Sequence, residues 1–178
     1  MSEIIIAGFG GQGILAAGVM LANAGLLAGL QTTWLPSYGA TMRGGTANCF
    51  VKIDSEEIGS PYIDEADFLL AFNEPSLLKF HGTVKKGGCI FANSSLIRKE
   101  VPRSDVNVFY VPATERAREL GDVRTANVFM LGVLFSKTAL LPYESAAASL
   151  EDYFSAKSEK VIELNKRVFR AGYEWKEG

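Results

Sequence analysis

The sequence predicts an α/β fold: a single Rossmann-like, three-layer domain over residues 1–178, with a mainly parallel sheet and closing C-terminal helices. Three observations predict it. Short β-branched or aromatic runs alternate with helical stretches as far as Val111, the pattern of strand–helix–strand units. The first run ends in Gly8-Phe9-Gly10-Gly11-Gln12-Gly13 and leads into a helix, the arrangement of a glycine turn between a strand and a helix. Beyond Pro112 the pattern is helical throughout.

Taken in order, Glu3-Ile4-Ile5-Ile6-Ala7 reads as a buried strand. From Gln12 to Gly29 a helix follows that is apolar nearly all round, so it must be covered by its own sheet and by something else. Ala16, Ala17, Gly18, Ala22 and Gly25 permit close approach, and such a helix suits a subunit better than a free monomer. Thr32 to Leu35 is a second strand, which Pro36 is expected to end. A Ser37–Gly45 loop precedes an alternating strand over Thr46–Ile53, and Glu57 to Pro61 is a turn cluster. Phe68 to Phe72 is a strand, and Asn73-Glu74-Pro75-Ser76 opens a helix with a cap and an early proline. Cys89–Ala92 and Val106–Val111 supply two more strands. Four helices follow, over Thr114–Leu120, Thr125–Leu140, Glu144–Phe154 and Glu159–Tyr173.

Composition narrows the function. A formal charge of −2 gives no basic surface for a phosphate backbone, so no nucleic acid is expected. Cys49 and Cys89 stand forty residues apart with no CxxC pair, so this chain alone is not expected to hold an iron–sulfur cluster or a structural zinc. They read as buried thiols in a reducing cytoplasm. His81, the sole histidine, sits at a helix exit without a nucleophile motif to partner it, so no catalytic residue and no metal ligand is assigned. The uncharged Gly13–Leu30 stretch is interrupted by glycine, rich in alanine, and preceded by no lysine or arginine. A membrane span is therefore not expected, and a cytoplasmic location is.

The first glycine turn has the spacing that lets backbone amides meet an anion at a helix N-terminus. The acid that would hold the ribose of a nicotinamide dinucleotide, about 20 residues further on, is missing. There is no aspartate or glutamate between Ile4 and Ile53. The glycines therefore serve either tight packing or the phosphate of another ligand, one shared with a partner included.

Pro36-Ser37-Tyr38-Gly39-Ala40-Thr41-Met42-Arg43-Gly44-Gly45 is the second feature. It places a hydroxyl, a phenol and a guanidinium on a loop with three glycines, at the carboxyl edge where ligands bind in open α/β sheets. Arg43 can grip a phosphate or carboxylate with two parallel hydrogen bonds, or cap carbonyls of its own loop.

At these residues the chain resembles the gamma subunit, or gamma domain, of the 2-oxoacid:ferredoxin (or flavodoxin) oxidoreductases. Gly8 to Gly13, Pro36-Ser37-Tyr38-Gly39 and Arg43-Gly44-Gly45 carry the resemblance. Ile58-Gly59-Ser60-Pro61, Asn73-Glu74-Pro75-Ser76, Asn127 and Leu131-Gly132 extend it in order along most of the chain. Thr41 departs from it, standing where many relatives look acidic.

The resemblance implies a non-redox subunit of a larger enzyme that decarboxylates a 2-oxoacid oxidatively to an acyl-CoA. Thiamine diphosphate, magnesium and iron–sulfur clusters would belong to companion chains. Those companions are alpha and beta (thiamine diphosphate-binding) subunits and a ferredoxin-like subunit, with ferredoxin as acceptor. The isolated chain is read as a homodimer.

By position, Gly10, Gly11, Gln12 and Gly13 form the phosphate-facing turn for coenzyme A. Ser37, Tyr38, Gly39, Arg43, Gly44 and Gly45 form the second loop, with Tyr38 and Arg43 reaching the ligand or a subunit interface. Asn127 either hydrogen-bonds a glycine loop or caps its helix. Gly45-Thr46-Ala47-Asn48-Cys49 looks more like members acting on 2-oxoglutarate or branched-chain 2-oxoacids than those acting on pyruvate; indolepyruvate-type enzymes are more distant. Two other readings stand beside this one: a stand-alone nucleotide-dependent oxidoreductase, and a purely structural assembly subunit.

Overall fold

The computed structural model describes residues 1–39 and 45–177. A six-stranded sheet in the order β2-β3-β1-β4-β5-β6 is built from β1 (Ser2–Phe9), β2 (Gln31–Tyr38), β3 (Thr46–Asp54), β4 (Ala66–Ala71), β5 (Val84–Asn93) and β6 (Asn107–Val111). β1, β4, β5 and β6 pair in parallel, whereas β3 is antiparallel to both β1 and β2. Five strands thus point one way and β3 alone reverses. The reversal follows from chain length, since a strand returning after a short loop pairs antiparallel and a parallel return needs a dozen residues or more.

Pro36 does not end the second strand. β2 runs on to Tyr38 with Pro36 opposite Cys49, and this is tolerated because β2 is an edge strand, where a missing N–H faces outward.

The helices lie unevenly on the two faces. α1 (Ile14–Leu27), α3 (Ala113–Glu119), α4 (Ala126–Thr138), α5 (Tyr143–Phe154) and α6 (Glu159–Tyr173) share one core with Ile4, Ile6, Leu70 and Phe91. The other face carries only the seven-residue α2 (Glu74–Phe80) and loop residues such as Ile63, Ile97 and Val101, packed on Ile5, Leu69, Ala71 and Ile90. Glu159 to Tyr173 is helical to its predicted ends. Asn73 caps α2 as its sequence implies, accepting from the Ser76 amide at 2.9 Å with a proline in the first turn.

The apolar first helix finds its second cover within the chain. One side of α1 lies on β2 and β3, with Gly18 against Cys49 and Trp34 and Gly25 against Thr32 and Ile53. α5 closes the other side, where the Ser149 hydroxyl donates to the Met20 carbonyl at 2.7 Å. An all-round apolar α1 is therefore no sign of a partner subunit. Only its last turn, Leu26 and Leu27, is exposed.

At the crossing of α4 and α6, Gly132 faces the backbone of Phe169 and Tyr173, and Gly172 faces the backbone of Phe129. Any side chain at either position would drive the helices apart. No helix among the described residues is long and apolar enough to cross a membrane.

Candidate functional site: a cleft between two glycine turns

β1 delivers the first glycine turn to the carboxyl edge, and β2 and β3 bring the flanks of the second loop to the same edge. The two meet directly: the Gly10 amide donates to the Gly45 carbonyl at 2.8 Å. Gly39 donates to the Thr46 carbonyl at 3.1 Å, closing the base of the second loop. Between them opens a cleft of about 350 Å³ bordered by Phe9, Gly11, Gly13, Leu15, Tyr38 and Thr46, within the size range of small-molecule sites.

Gly13 is the N-cap of α1 at φ 72, and Gly11 has φ 97. Both conformations are cheap only for glycine. The Gly13 carbonyl accepts from the Ala17 amide at 2.9 Å and from Asn127 Nδ2 at 3.0 Å. A Cβ on Gly13 would strike that Asn127 amide. Asn127 thus serves the glycine turn rather than capping α4, whose N-cap is Thr125 without a side-chain bond. At 5% exposure it has no room for another role.

Gln12 turns inward. Its Oε1 accepts from the Phe9 amide at 2.7 Å and from Asn73 Nδ2 at 3.1 Å, and its Nε2 donates to the Phe72 carbonyl at 3.4 Å. It fastens the turn to the junction of β4 and α2. The Gly10 and Gln12 amides are both used within the fold, the latter by the Phe9 carbonyl at 3.1 Å. Gly11 and Gly13 of the turn border the cleft together with Ile14, Leu15 and Ala16 of the first turn of α1, whose amides lack intrahelical acceptors. That first turn contains no acidic residue, so nothing on it opposes an anion.

The second loop divides between the two faces of β2. Tyr38, 65% exposed, borders the glycine cleft, whereas Ser37 lies in a different groove with Asn48, Phe50 and Lys79. Alternation along a strand sends neighbours to opposite faces, so the hydroxyl and phenol read together in the sequence do not share a site. Arg43 and Gly44 lie outside the described residues.

Two features escape a reading of the sequence. Thr46 and Phe9 wall the cleft. Beyond Gly11 and Gln12 lies a smaller crevice of about 240 Å³ with Phe72, Thr114 and Arg124, where Arg124 holds Asp122 at 2.6 Å. The one local signal for Arg124 is its place three residues before Asn127.

Cys49 is fully buried. Burial pushes its thiol up to about 12, against weaker contributions from Trp34 and Gly18. Cys89 is on β5, three strand spacings away, about 14 Å. Cysteines so placed do not fit a cluster, and among the described residues no three His, Cys, Asp or Glu side chains gather as metal ligands.

The model of the pyruvate ferredoxin/flavodoxin oxidoreductase family matches residues 3–175. The chain belongs to that family. It is 42% identical over 177 residues to the ketoisovalerate oxidoreductase subunit VorA of Methanothermobacter marburgensis, covering 97% of this chain and 36% of that one. The chain thus spans about a third of the length of that relative. The fold superposes with a TM-score of 0.83 on the keto/oxoacid ferredoxin oxidoreductase gamma subunit from Geobacter sulfurreducens, at 29% identity, with 98% of this chain and 97% of that one covered. It also superposes, at a TM-score of 0.87 and 27% identity, on a 2-oxoglutarate:ferredoxin oxidoreductase from Magnetococcus marinus with 2-oxoglutarate, coenzyme A and succinyl-CoA bound, covering 97% of this chain and 30% of that one. The α/β fold with one mainly parallel sheet and C-terminal helices is the fold of that Geobacter gamma subunit.

Proposed function

We propose that residues 1–178 act as one gamma-type domain of a 2-oxoacid:ferredoxin oxidoreductase, holding part of coenzyme A in the cleft between the glycine turns. Family membership and the match of the whole chain to a gamma subunit support the setting. The observation that carries the site is the Gly10–Gly45 hydrogen bond, which joins the two loops around one cleft bordered by the glycine turn and the first turn of α1 and, among the described residues, free of carboxylates.

In this reading, the amides of Gly11, Gly13 and the α1 first turn meet a phosphate group, and Tyr38 and Arg43 are the side chains that reach the ligand or a subunit interface. Gln12 and Asn127 hold the turn in shape without touching the ligand. Gly39, Gly44 and Gly45 shape the second loop, and Ser37 belongs to the far side of β2. Thiamine diphosphate with magnesium and the iron–sulfur clusters sit on alpha, beta and ferredoxin-like companions in the cytoplasm, and ferredoxin takes the electrons. The 2-oxoacid is of the 2-oxoglutarate or branched-chain type.

Co-expression with the companion subunits tests this. The chain copurifies with them, and Arg43→Ala raises the apparent KM for coenzyme A by the equivalent of about 1.5–3 kcal/mol, the range for a hydrogen bond to a charged group. A chain that joins no companion would overturn the reading. An assembled complex whose coenzyme A dependence ignores the substitution would leave only a structural role.

A further inference from the structure

The edge strand β2 presents a row of main-chain groups to the outside of the sheet. Gln31, Thr33, Leu35 and Ser37 exchange their hydrogen bonds with β3, in step with the Gly39 amide on the Thr46 carbonyl. The N–H and C=O groups of Thr32, Trp34 and Tyr38 therefore point away from β3, where no further strand stands among the described residues. Edge strands are ordinarily blunted by charge, above all lysine, or by proline. From Gln31 to Tyr38 this one carries no charged residue, and Pro36 alone blunts it.

Two further observations bear on what covers the edge. The Thr33 hydroxyl is buried and has no hydrogen-bond partner among the described residues, although buried hydroxyls are ordinarily paired. Beside the strand runs an apolar patch. Leu26 and Leu27, in the last turn of α1, are more than half exposed, and Leu26 borders a groove of about 400 Å³ with Trp34 and Tyr153. That last turn lies close to the middle of β2, since Gly25 packs against Thr32.

We infer that β2 pairs antiparallel with β2 of a second copy of this chain, about a two-fold axis at Thr33. In this register each Thr32 stands opposite the second copy's Trp34, both pairs are hydrogen-bonded, and no donor is asked of Pro36. An axis at Trp34 would instead set Pro36 against Thr32 and leave the Thr32 carbonyl without its donor. Thr33 meets Thr33 in a non-hydrogen-bonded pair, where Cα atoms approach to about 4.5 Å and threonines hydrogen-bond across strands. A turn about χ1 brings the unpaired hydroxyl there. The strand suits its own copy because it is uncharged, so the two do not repel, and a two-fold contact uses the same patch on both sides. The axis stands normal to the sheet and sets both α1 helices on one face, where the leucines of the two last turns cover one another. This gives the homodimer expected of the isolated chain its contact surface. It draws on nothing in the glycine cleft.

Sedimentation of the full chain tests it, and a dimer that dissociates on dilution is expected. Thr32→Pro removes an outward N–H, as Pro36 already does, and should weaken the dimer about tenfold or more through the hydrogen bonds lost on both sides of the axis. Thr33→Lys and Thr33→Glu each oppose like charges across the axis; either alone should be monomeric, and an equimolar mixture should dimerise. Restoration on mixing needs folded chains, so this arm holds even if Thr32→Pro disturbs the strand. Thr33→Cys should give an interchain disulfide under mild oxidation, whereas Gln31→Cys, about 13 Å from its mate in this register, should not; the unsubstituted chain, with Cys49 buried, is the blank. A monomer at every concentration, or a dimer indifferent to these substitutions, would overturn the inference. Crosslinking of Thr33→Cys to a companion subunit in the co-expressed complex, with none between copies, would overturn it in favour of an edge taken by that companion. None of these outcomes involves coenzyme A, so this inference and the reading of the cleft fail separately.

Discussion

The two edges of the sheet solve opposite problems. Around the glycine cleft at the carboxyl edge no charged side chain stands among the described lining residues, and the chain holds itself together with amides: Gly10 to Gly45, Asn127 to Gly13, Gln12 to Phe9, Phe72 and Asn73. At the amino edge it gathers charge and neutralises it internally. Glu3, 11% exposed, accepts from Lys52 at 3.1 Å and from Lys85 at 2.7 Å, and Lys85 also reaches Asp67 at 3.1 Å. Asp67 in turn accepts from the Glu3 amide at 2.8 Å. One edge is locked by ions that satisfy each other, and the other keeps its dipoles pointed at a cleft. A site for an anion belongs on the second kind of edge, because preoriented amides with no resident counter-charge remain available to a ligand.

The difference can be broken by substitution. The largest effect is expected at Gly13, where alanine meets both a left-handed φ of 72 and the Asn127 amide. Gly13→Ala should cost about 3 kcal/mol by urea unfolding, and adding Asn127→Gly should return part of it, since the obstruction leaves. An additive double mutant would show that the Asn127 side chain is not what obstructs the added methyl group.

At the amino edge the sensitivity should be to charge and pH. Burial pushes the Glu3 carboxyl up, but the hydrogen bonds and charges of Lys85 and then Lys52 more than offset this, so it lies below the usual carboxylate value. A depressed carboxyl contributes stability that is present above its unfolded pKa, about 4.3, and is lost as pH falls through the folded value. Lys52→Met leaves Glu3 with Lys85 alone and should cost about 2 kcal/mol at pH 7. That cost should shrink as pH falls through the acid range, as followed by thermal unfolding. An unchanged cost in acid would mean that packing of the lysine stem, not its charge, holds the edge. Lys85 is raised, chiefly by its hydrogen bond to Glu3, so its contribution is full below its ordinary range and is lost only as pH rises through the elevated value.

The smallest effect is expected at Gly11, which has φ 97 but open space where a methyl group would stand. Gly11→Ala should cost about 1 kcal/mol from backbone strain alone. A loss as large as that of Gly13→Ala would erase the distinction between a turn residue facing the cleft and one wedged against α4.

Much of this contrast is legible in the sequence, and the illegible part has a pattern. The acid-free stretch from Ile4 to Ile53, the glycine turn and the Asn73 cap are local signals, and each describes its own few residues. α6 is legible to its ends because its apolar face repeats cleanly against α4. What the sequence hides depends on a second element. Pro36 looks like a terminator because nothing in the sequence says that β2 is an edge strand. Ser37 and Tyr38 look like one site until β2 is extended through them and sends them to opposite faces. Gln12 looks like a ligand-facing residue because its partners, at Phe72 and Asn73, lie about sixty positions away.

The paired notches at Gly132 and Gly172 reach further than their own helices. With no side chains between them, α4 and α6 touch main chain to main chain, and the first turn of α4 carries the Asn127 amide that grasps Gly13. α6 is therefore mechanically coupled to the mouth of the cleft, although its own start at Glu159 lies well beyond Asn127 in the chain. Crowding α6 should loosen a loop that it never contacts.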